Sequence, residues 1–505
     1  MSSSRIVLIV FAALYVALVW TVRYVPTQDG PSHLANAAAL RDILLPGDQG
    51  LEADYYVQRR PVPNWAYYAV VAPLAAVVPP LVAEKLFLSA YVLAFAFAFY
   101  KLARAAGVRT WAAAVAALPL SVALPFQIGF YNYCAGVAVM LAALAYFWPR
   151  RDRLRVREAV VLNLSVVAAY FCHLLPAVLL LGAVYFLNVV LAAGIVPGER
   201  SIARRARFLA GLLPAWVLPL YYLFQPSGGD TTWFPAGELL RLLVSGWPLV
   251  SFGPAQRPVG FLAAAAALAG VAAVFWAKRS GRRPLRQPRD AFGLLAAAFL
   301  ILCFVAPDAA AGGSLVSARL AAFVFLFVFI WAGDGLGRRG DAAALVVAVT
   351  LAAAAWVGDL YYYRKYDRVL RELTAADCGF RPGAGMVYLD YAEGRPGLVR
   401  VTLHAGAYYA LRSRLLNFSN YEAELPYFPV RFRPGAPRPA AVEIIGGGRY
   451  DAEKWASLVD YVITWDMEEY HRRRLAAERC YDLVVNGPQL KIFRIKAAYR
   501  KAGRP

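Results

Sequence analysis

Ile6–Val22 reads Ile-Val-Leu-Ile-Val-Phe-Ala-Ala-Leu-Tyr-Val-Ala-Leu-Val-Trp-Thr-Val, and four residues later comes Thr27-Gln28-Asp29-Gly30-Pro31-Ser32-His33. The first stretch is apolar enough to enter a bilayer as a helix. The second places a carboxylate and an imidazole just past its end. Ionisable groups held at a membrane edge cost free energy and mark a site or a pathway. The first stretch has no small-x-small cleavage pattern before Arg23 and is followed by many more apolar runs, so it reads as a retained anchor and not a signal peptide.

Ten further apolar runs follow: Leu81–Tyr100, Trp111–Phe126, Tyr133–Trp148, Ala159–Phe171, Ala177–Ala193, Phe208–Phe224, Val259–Trp276, Phe292–Val305, Leu315–Trp331 and Ala342–Val357. The chain is 505 residues long and 60% hydrophobic, against roughly half in soluble domains. The expected fold class is therefore an α-helical polytopic membrane protein of about 11 spans. The run Trp65–Pro80 is bounded by proline and reads as a membrane-lying or re-entrant helix. The piece Gly237–Ser245, flanked by Trp233 and Trp247, suits an interfacial helix.

The formal charge of +21 is unevenly distributed. The loops Lys101–Thr110, Pro149–Glu158, Glu199–Arg207, Lys278–Asp290 and Leu336–Asp341 carry 20 Lys/Arg against 5 Asp/Glu. The alternate loops Arg23–Asn64, Gln127–Asn132, Gln225–Pro258 and Pro307–Arg319 carry 7 against 8. Cationic loops stay in the cytoplasm. The N-terminus is therefore expected inside, with the Asp29 loop and everything after about Gly358 outside. Topology accounts for the basic charge, and no nucleic acid is implied.

Residues 361–505 have no membrane-length run and mixed charge, 24 Lys/Arg against 16 Asp/Glu. This divides the chain into a transmembrane domain over 1–360 and an extracytoplasmic α/β domain over 361–505. Strands are expected at Met386–Leu389, Tyr461–Thr464, Asp482–Val485 and Leu490–Ile495, the last two joined by the turn Asn486-Gly487-Pro488-Gln489. Helical patterns lie at Leu398–Arg412, Ala452–Asp460 and Glu468–Arg479. Gly446-Gly447-Gly448 lacks the lysine and spacing of a phosphate loop. Cys134, Cys172 and Cys303 fall within spans as small apolar residues. Cys378 and Cys480 fall in an oxidising compartment, where a disulfide between them is expected. No Cys/His spacing suggests zinc.

Asp29 and His33 are four apart and share a face on a helix. Asp29 has two readings: a general base toward a hydroxyl, or an N-cap of the helix that Pro31 begins over Leu34–Leu45. His33 has a binding role or an orienting, packing one. Arg319, in Gly312-Gly313-Ser314-Leu315-Val316-Ser317-Ala318-Arg319, lies in an apolar helix and needs an anion. A lipid phosphate fits, and so does snorkelling or pairing with Asp308. Arg257, Arg59 and His173 are further candidates for binding the same substrate, Arg59 beside Arg60 on a solvated loop and His173 as a buried, hydrogen-bonded residue.

The segments Pro26-Thr27-Gln28-Asp29-Gly30-Pro31-Ser32-His33-Leu34, Asn132-Tyr133 and Ser317-Ala318-Arg319-Leu320 resemble bacterial members of the GT-C superfamily. These are integral-membrane glycosyltransferases that use polyprenyl-phosphate-linked sugars. The resemblance covers most of Met1–Gly358. It implies that Asp29 is the catalytic base and Arg319 a donor-phosphate ligand, in an inverting transfer to an acceptor hydroxyl on the extracytoplasmic face of a bacterial inner membrane. The acceptor would be a glycan, lipid or protein. Many members carry paired acids in the first loop, whereas Gln28 and Gly30 flank Asp29, and Asp48, Glu52 and Asp54 lie further along. No cofactor is therefore expected, and a divalent metal has no paired acids to hold it. The rival reading is a transporter or flippase of a lipid-linked or anionic solute. It is disfavoured by the absence of an internal repeat. A non-catalytic GT-C scaffold is a third.

Overall fold

The computed structural model describes the chain except for residues 1–2, 46–53, 226–229, 311, 335–336, 393–398, 436, 445–449, 470, 474–479 and 500–505. The acids Asp48 and Glu52, the triplet Gly446–Gly448 and the end of the expected helix Glu468–Arg479 lie outside the described residues.

In chain order the helices are α1 (Ser3–Trp20), α2 (Gly30–Leu44), α3 (Ala66–Leu74), α4 (Pro80–Ala105), α5 (Ala112–Ala117), α6 (Leu124–Ile128), α7 (Tyr131–Phe147), α8 (Val156–Cys172), α9 (Leu174–Ala192), α10 (Ile202–Ala210), α11 (Val217–Leu223), α12 (Ala236–Val244), α13 (Arg257–Arg279), α14 (Asp290–Val305), α15 (Val316–Ala332), α16 (Arg338–Leu373), α17 (Ala407–Ser413), α18 (Ala441–Ile444) and α19 (Ala452–Trp455). Every one of the eleven apolar runs is helical. Among the described residues five helices are long and apolar enough to cross a membrane, and α10 with α11 form a sixth candidate bent by 44°. Four shorter apolar helices accompany them. The chain is a multi-pass membrane protein. The interruptions follow from proline, which removes a backbone donor and clashes with the preceding turn. Pro119 and Pro125 divide α5 from α6 through a 3-10 turn, and Gly211 with Pro214 precede α11.

The backbone divides into two compact units. The first comprises Met1–Val19, Leu88–Phe126 and Phe130–Tyr361; the second comprises Trp20–Phe87, Gln127–Gly129 and Tyr362–Pro505. In the first, α14 packs on α15 through Phe299, whose ring lies 4.9 Å from Phe323 and 5.3 Å from Phe327. Gly293 makes the close approach possible, because a Cβ there would come within 2.6 Å of the Trp331 indole.

The second unit holds a five-stranded sheet in the order β3-β2-β5-β7-β6. Here β2 is Gly385–Asp390, β3 Leu416–Asn417, β5 Tyr461–Trp465, β6 Tyr481–Asn486 and β7 Leu490–Ile495. β2 runs parallel to β3 and β5, and β6–β7 is the antiparallel hairpin. β5 is buried along its whole length, as expected of an apolar run with a strand on each side. A separate ribbon pairs β1 (Tyr55–Val57) with β4 (Val430–Phe432). Thus the loop after the first apolar run is hydrogen-bonded to the C-terminal region, a pairing that charge and hydropathy do not disclose.

Three expectations change. The pattern Ala452–Asp460 is helical only over Ala452–Trp455, with turns after it. The pattern Leu398–Arg412 is helical only from Ala407; before it, successive turns run from Val401 to Gly406. The Thr402 carbonyl accepts the Tyr388 hydroxyl at 2.8 Å and its own hydroxyl donates to Asp390 at 3.0 Å, so the segment is tied to β2, and its local bonds close tight turns such as Ala405 N to the Thr402 carbonyl at 3.1 Å. Cys378 and Cys480 are not joined. The segment after Cys378 rests on β5, with Phe380 4.9 Å from Tyr461, whereas Cys480 opens β6 on the far side of β7.

Candidate active site

Asp29 sits immediately before α2 with its amide donating to the Ile128 carbonyl at 2.9 Å, while Gln28 donates to Gln127 at 3.2 Å. The C-terminal end of α6 and Gly129 thus fix the Asp29 backbone. Gly129 has φ +99°, and a Cβ there would lie 2.9 Å from the Gly30 nitrogen and 3.0 Å from the Asp29 Cβ. Only glycine accepts both the left-handed backbone and the approach.

Asp29 precedes the helix but its side chain makes no capping hydrogen bond. The carboxylate turns instead into a buried polar cluster. Gln28 Nε2 donates to Oδ1 at 3.2 Å, His404 Nε2 lies 3.6 Å away, and the Tyr421 hydroxyl also donates to it. Tyr421 stacks on His404 with ring centroids 4.6 Å apart. One turn along α2, His33 Nδ1 lies 2.9 Å from Glu422 Oε1 and 2.7 Å from the Tyr68 hydroxyl oxygen. Tyr68 donates to the other Glu422 oxygen, which also accepts Asn36 at 2.7 Å. His33 and Glu422 are 4% and 0% exposed.

The electrostatics follow from burial and partners. Burial raises the Asp29 pKa to about 6; Glu422 adds to the rise, and the His33 charge and the hydrogen bonds from Gln28 and Tyr421 oppose it. Burial would lower the pKa of His33, but the charge and hydrogen bond of Glu422 outweigh it and the net shift is upward. Glu422 shows the converse: burial raises it, and His33, Tyr68 and Asn36 pull it below the ordinary value. His33 and Glu422 are therefore an ion pair. Burial lowers His404 to about 4, so it is neutral at neutral pH.

Glu422 thus stands as a second carboxylate in the buried cluster with Asp29. Glu422, His404, Tyr421 and Tyr68 escape a reading of the sequence. His404 lies in a turn, Tyr421 and Glu422 in a short 3-10 helix and Tyr68 in the apolar α3, and none has a recognisable spacing to Asp29. Arg59 follows β1 and is exposed, with Arg60 beside it. Arg257 begins α13 and is also exposed. Neither belongs to the buried cluster around Asp29.

In the first unit, Arg319 of α15 is 5% exposed. Its guanidinium lies over the rings of Phe130 (4.1 Å) and Tyr133 (5.2 Å), and the Tyr133 hydroxyl donates to its carbonyl at 3.1 Å. Asp308 is not its partner: that carboxylate accepts the Ser317 amide at 2.9 Å. His173 caps α9, its Nδ1 accepting the Leu175 amide at 3.1 Å. A neutral ring then carries its proton on Nε2. This nitrogen is 3.5 Å from Arg319 Nη1. Two donors converge there, an arrangement suited to an anionic oxygen. Among the described residues no group of three or more His, Cys, Asp or Glu side chains is placed to hold a metal ion.

Against solved structures the chain superposes on ArnT from Cupriavidus metallidurans bound to undecaprenyl phosphate, with a TM-score of 0.58 at 12% identity over 99% of both chains. It also superposes on the arabinofuranosyltransferase AftD from Mycobacteria, with a TM-score of 0.53 at 14% identity over 98% of this chain and 40% of that one. The chain has the GT-C fold. It spans almost the whole of the ArnT chain and less than half of the AftD chain. No family model matches the chain, and no curated protein matches it in sequence. At such identities the likeness establishes the GT-C architecture, and the chemistry must be argued from the residues.

Proposed function

We propose that the protein is a membrane glycosyltransferase that moves a sugar from a polyprenyl-phosphate donor to an acceptor hydroxyl on the extracytoplasmic face, with inversion at C1. Asp29 takes the hydroxyl proton. The acceptor oxygen forms a bond to C1 as the C1–O bond to phosphate breaks, and polyprenyl phosphate leaves with that electron pair. Arg319, with His173, holds the phosphate and its developing charge. His33 orients the Asp29 cluster, while exposed Arg59 and Arg257 are left to contacts with the lipid-linked substrate at its periphery. The observation that carries the reading is the state of Asp29. It is buried, released from helix capping and held near pKa 6, as a general base working near neutral pH requires.

The donor role is tested with the purified chain in proteoliposomes and a polyprenyl-phosphate donor carrying a radiolabelled sugar. Arg319→Ala is expected to raise the donor KM tenfold or more, since a charge-assisted hydrogen bond contributes about 1.5–3 kcal/mol, with a smaller change in kcat. Arg319→Lys should fall between, because it keeps the charge and loses the fork. An unchanged donor KM in Arg319→Ala, with the melting temperature preserved, removes Arg319 from the site.

Orientation is tested by fusions. We expect alkaline phosphatase at the C-terminus to be active and green fluorescent protein there to be dark, in keeping with the loop charges. The opposite pattern would place residues 361–505 in the cytoplasm and overturn the extracytoplasmic site.

A further inference from the structure

The second unit contains a cleft between α2 and α17 that the reaction above does not use. It is shallow and partly open to solvent. Four alanines form its floor: Ala35, Ala38 and Ala39 of α2 and Ala410 of α17. Small side chains on both helices keep this floor low.

The walls are polar and of mixed type. Asn417 Oδ1 accepts the Ser419 amide at 3.0 Å, which leaves its NH2 group to donate. Asp42 takes Arg41 Nε at 2.7 Å and Nη2 at 2.6 Å on the same oxygen, Oδ1, which leaves Oδ2 to accept. Arg414 adds an exposed guanidinium at the rim, and Tyr55 an aromatic edge. The Arg41–Asp42 pair is internally neutral, so the cleft is built neither for a cation nor for a polyanion. Alternating donors and acceptors around a shallow floor match vicinal hydroxyl groups, each of which both donates and accepts. An acyl chain would leave these groups unpaired.

The rear wall is also the back of the Asp29 cluster. Asn36 and Asn420 exchange amide hydrogen bonds of 3.1 and 2.6 Å, and Asn36 continues to Glu422. We propose that this cleft binds a saccharide unit of the acceptor, a reading that rests on the glycosyl transfer proposed above. An acceptor glycan seated there would be registered against α2, the helix that Asp29 precedes.

The test uses the full chain in lipid nanodiscs and saturation-transfer NMR with free monosaccharides: neutral hexoses, pentoses, N-acetylhexosamines and hexuronates. At least one is expected to receive magnetisation from the protein. Its apparent affinity should fall tenfold or more in Ala35→Phe, which fills the cleft, and in Arg414→Glu, an exposed change that spares the core. It should survive in Asp29→Asn and Arg319→Ala. Where a transfer assay is available, Ala35→Phe should raise the acceptor KM tenfold and leave the donor KM unchanged. No signal from any sugar, or a signal that persists in both cleft variants, overturns the proposal. Sugar binding lost in the cleft variants, with no sugar transfer by the wild type, would instead retain the cleft and reject the transferase.

Discussion

Asp29→Asn is expected to abolish most sugar transfer, by about 10²-fold or more, and at the same time to raise the melting temperature. The amide keeps the size of the side chain but cannot take a proton. The stability gain follows from the raised pKa. A carboxyl whose folded-state value lies above its unfolded one stabilises the fold at low pH, and that contribution is lost as pH rises through about 6. Near neutral pH the ionised Asp29 therefore costs on the order of 3 kcal/mol, which a neutral amide avoids. Transfer by the wild type should fall as pH drops through the same value. Thermal unfolding of both forms at pH 7.5, beside their transfer rates, checks this. Undiminished transfer would leave Asp29 without a proton to move, and a lower melting temperature would make it a structural residue.

Glu422→Ala is expected to destabilise the second unit by about 3 kcal/mol, the lower end for removing one member of a buried ion pair. The lower end applies because the stranded imidazolium of His33 can shed its proton. Glu422→Gln should be milder, since an amide can still accept from Asn36 and Tyr68. The two members lose their contributions on opposite sides of the pH scale. Glu422 is shifted down, so its share is present above the ordinary carboxylate value and lost as pH falls through the depressed one. His33 is shifted up, so its share is full below the ordinary 6.5 and lost as pH rises through the elevated one. Wild-type stability should thus decline on either side of mildly acidic pH, and Glu422→Gln should lose this curvature. A curve of equal shape in both proteins would show that the pair carries no charge.

The membrane helices are legible from composition, because apolar length alone selects them. Pro31 marks the start of α2, and Asn486–Gln489 marks the β6–β7 turn, because each residue type suits one local backbone. Asp29 and His33 are legible as a pair from their spacing, as is the isolation of Arg319 in an apolar helix. The setting of Asp29 is not. Glu422, His404 and Tyr421 follow no period, and their proximity to α2 depends on pairings such as β1 with β4 that no local pattern encodes. The same tertiary override turns Val401–Gly406 from a helical pattern into turns, and His404 stands in that segment. Capping by Asp29 is a sound local inference, and a nonlocal network displaces it.

The discontinuity of the second unit has a consequence for biogenesis. Asn36 and Glu422 are hydrogen-bonded although 386 residues separate them. A nascent chain therefore presents Asn36 beside Asp29 and completes its surroundings only 386 residues later. Until then α2 and its charged neighbours lack the groups that neutralise them. Contacts of such sequence separation form slowly, because loop closure must precede any reward. A chain stopped near residue 373 would retain every apolar helix yet lack the Glu422 cluster, so insertion into the bilayer and acquisition of a working centre are separate events in the life of this protein.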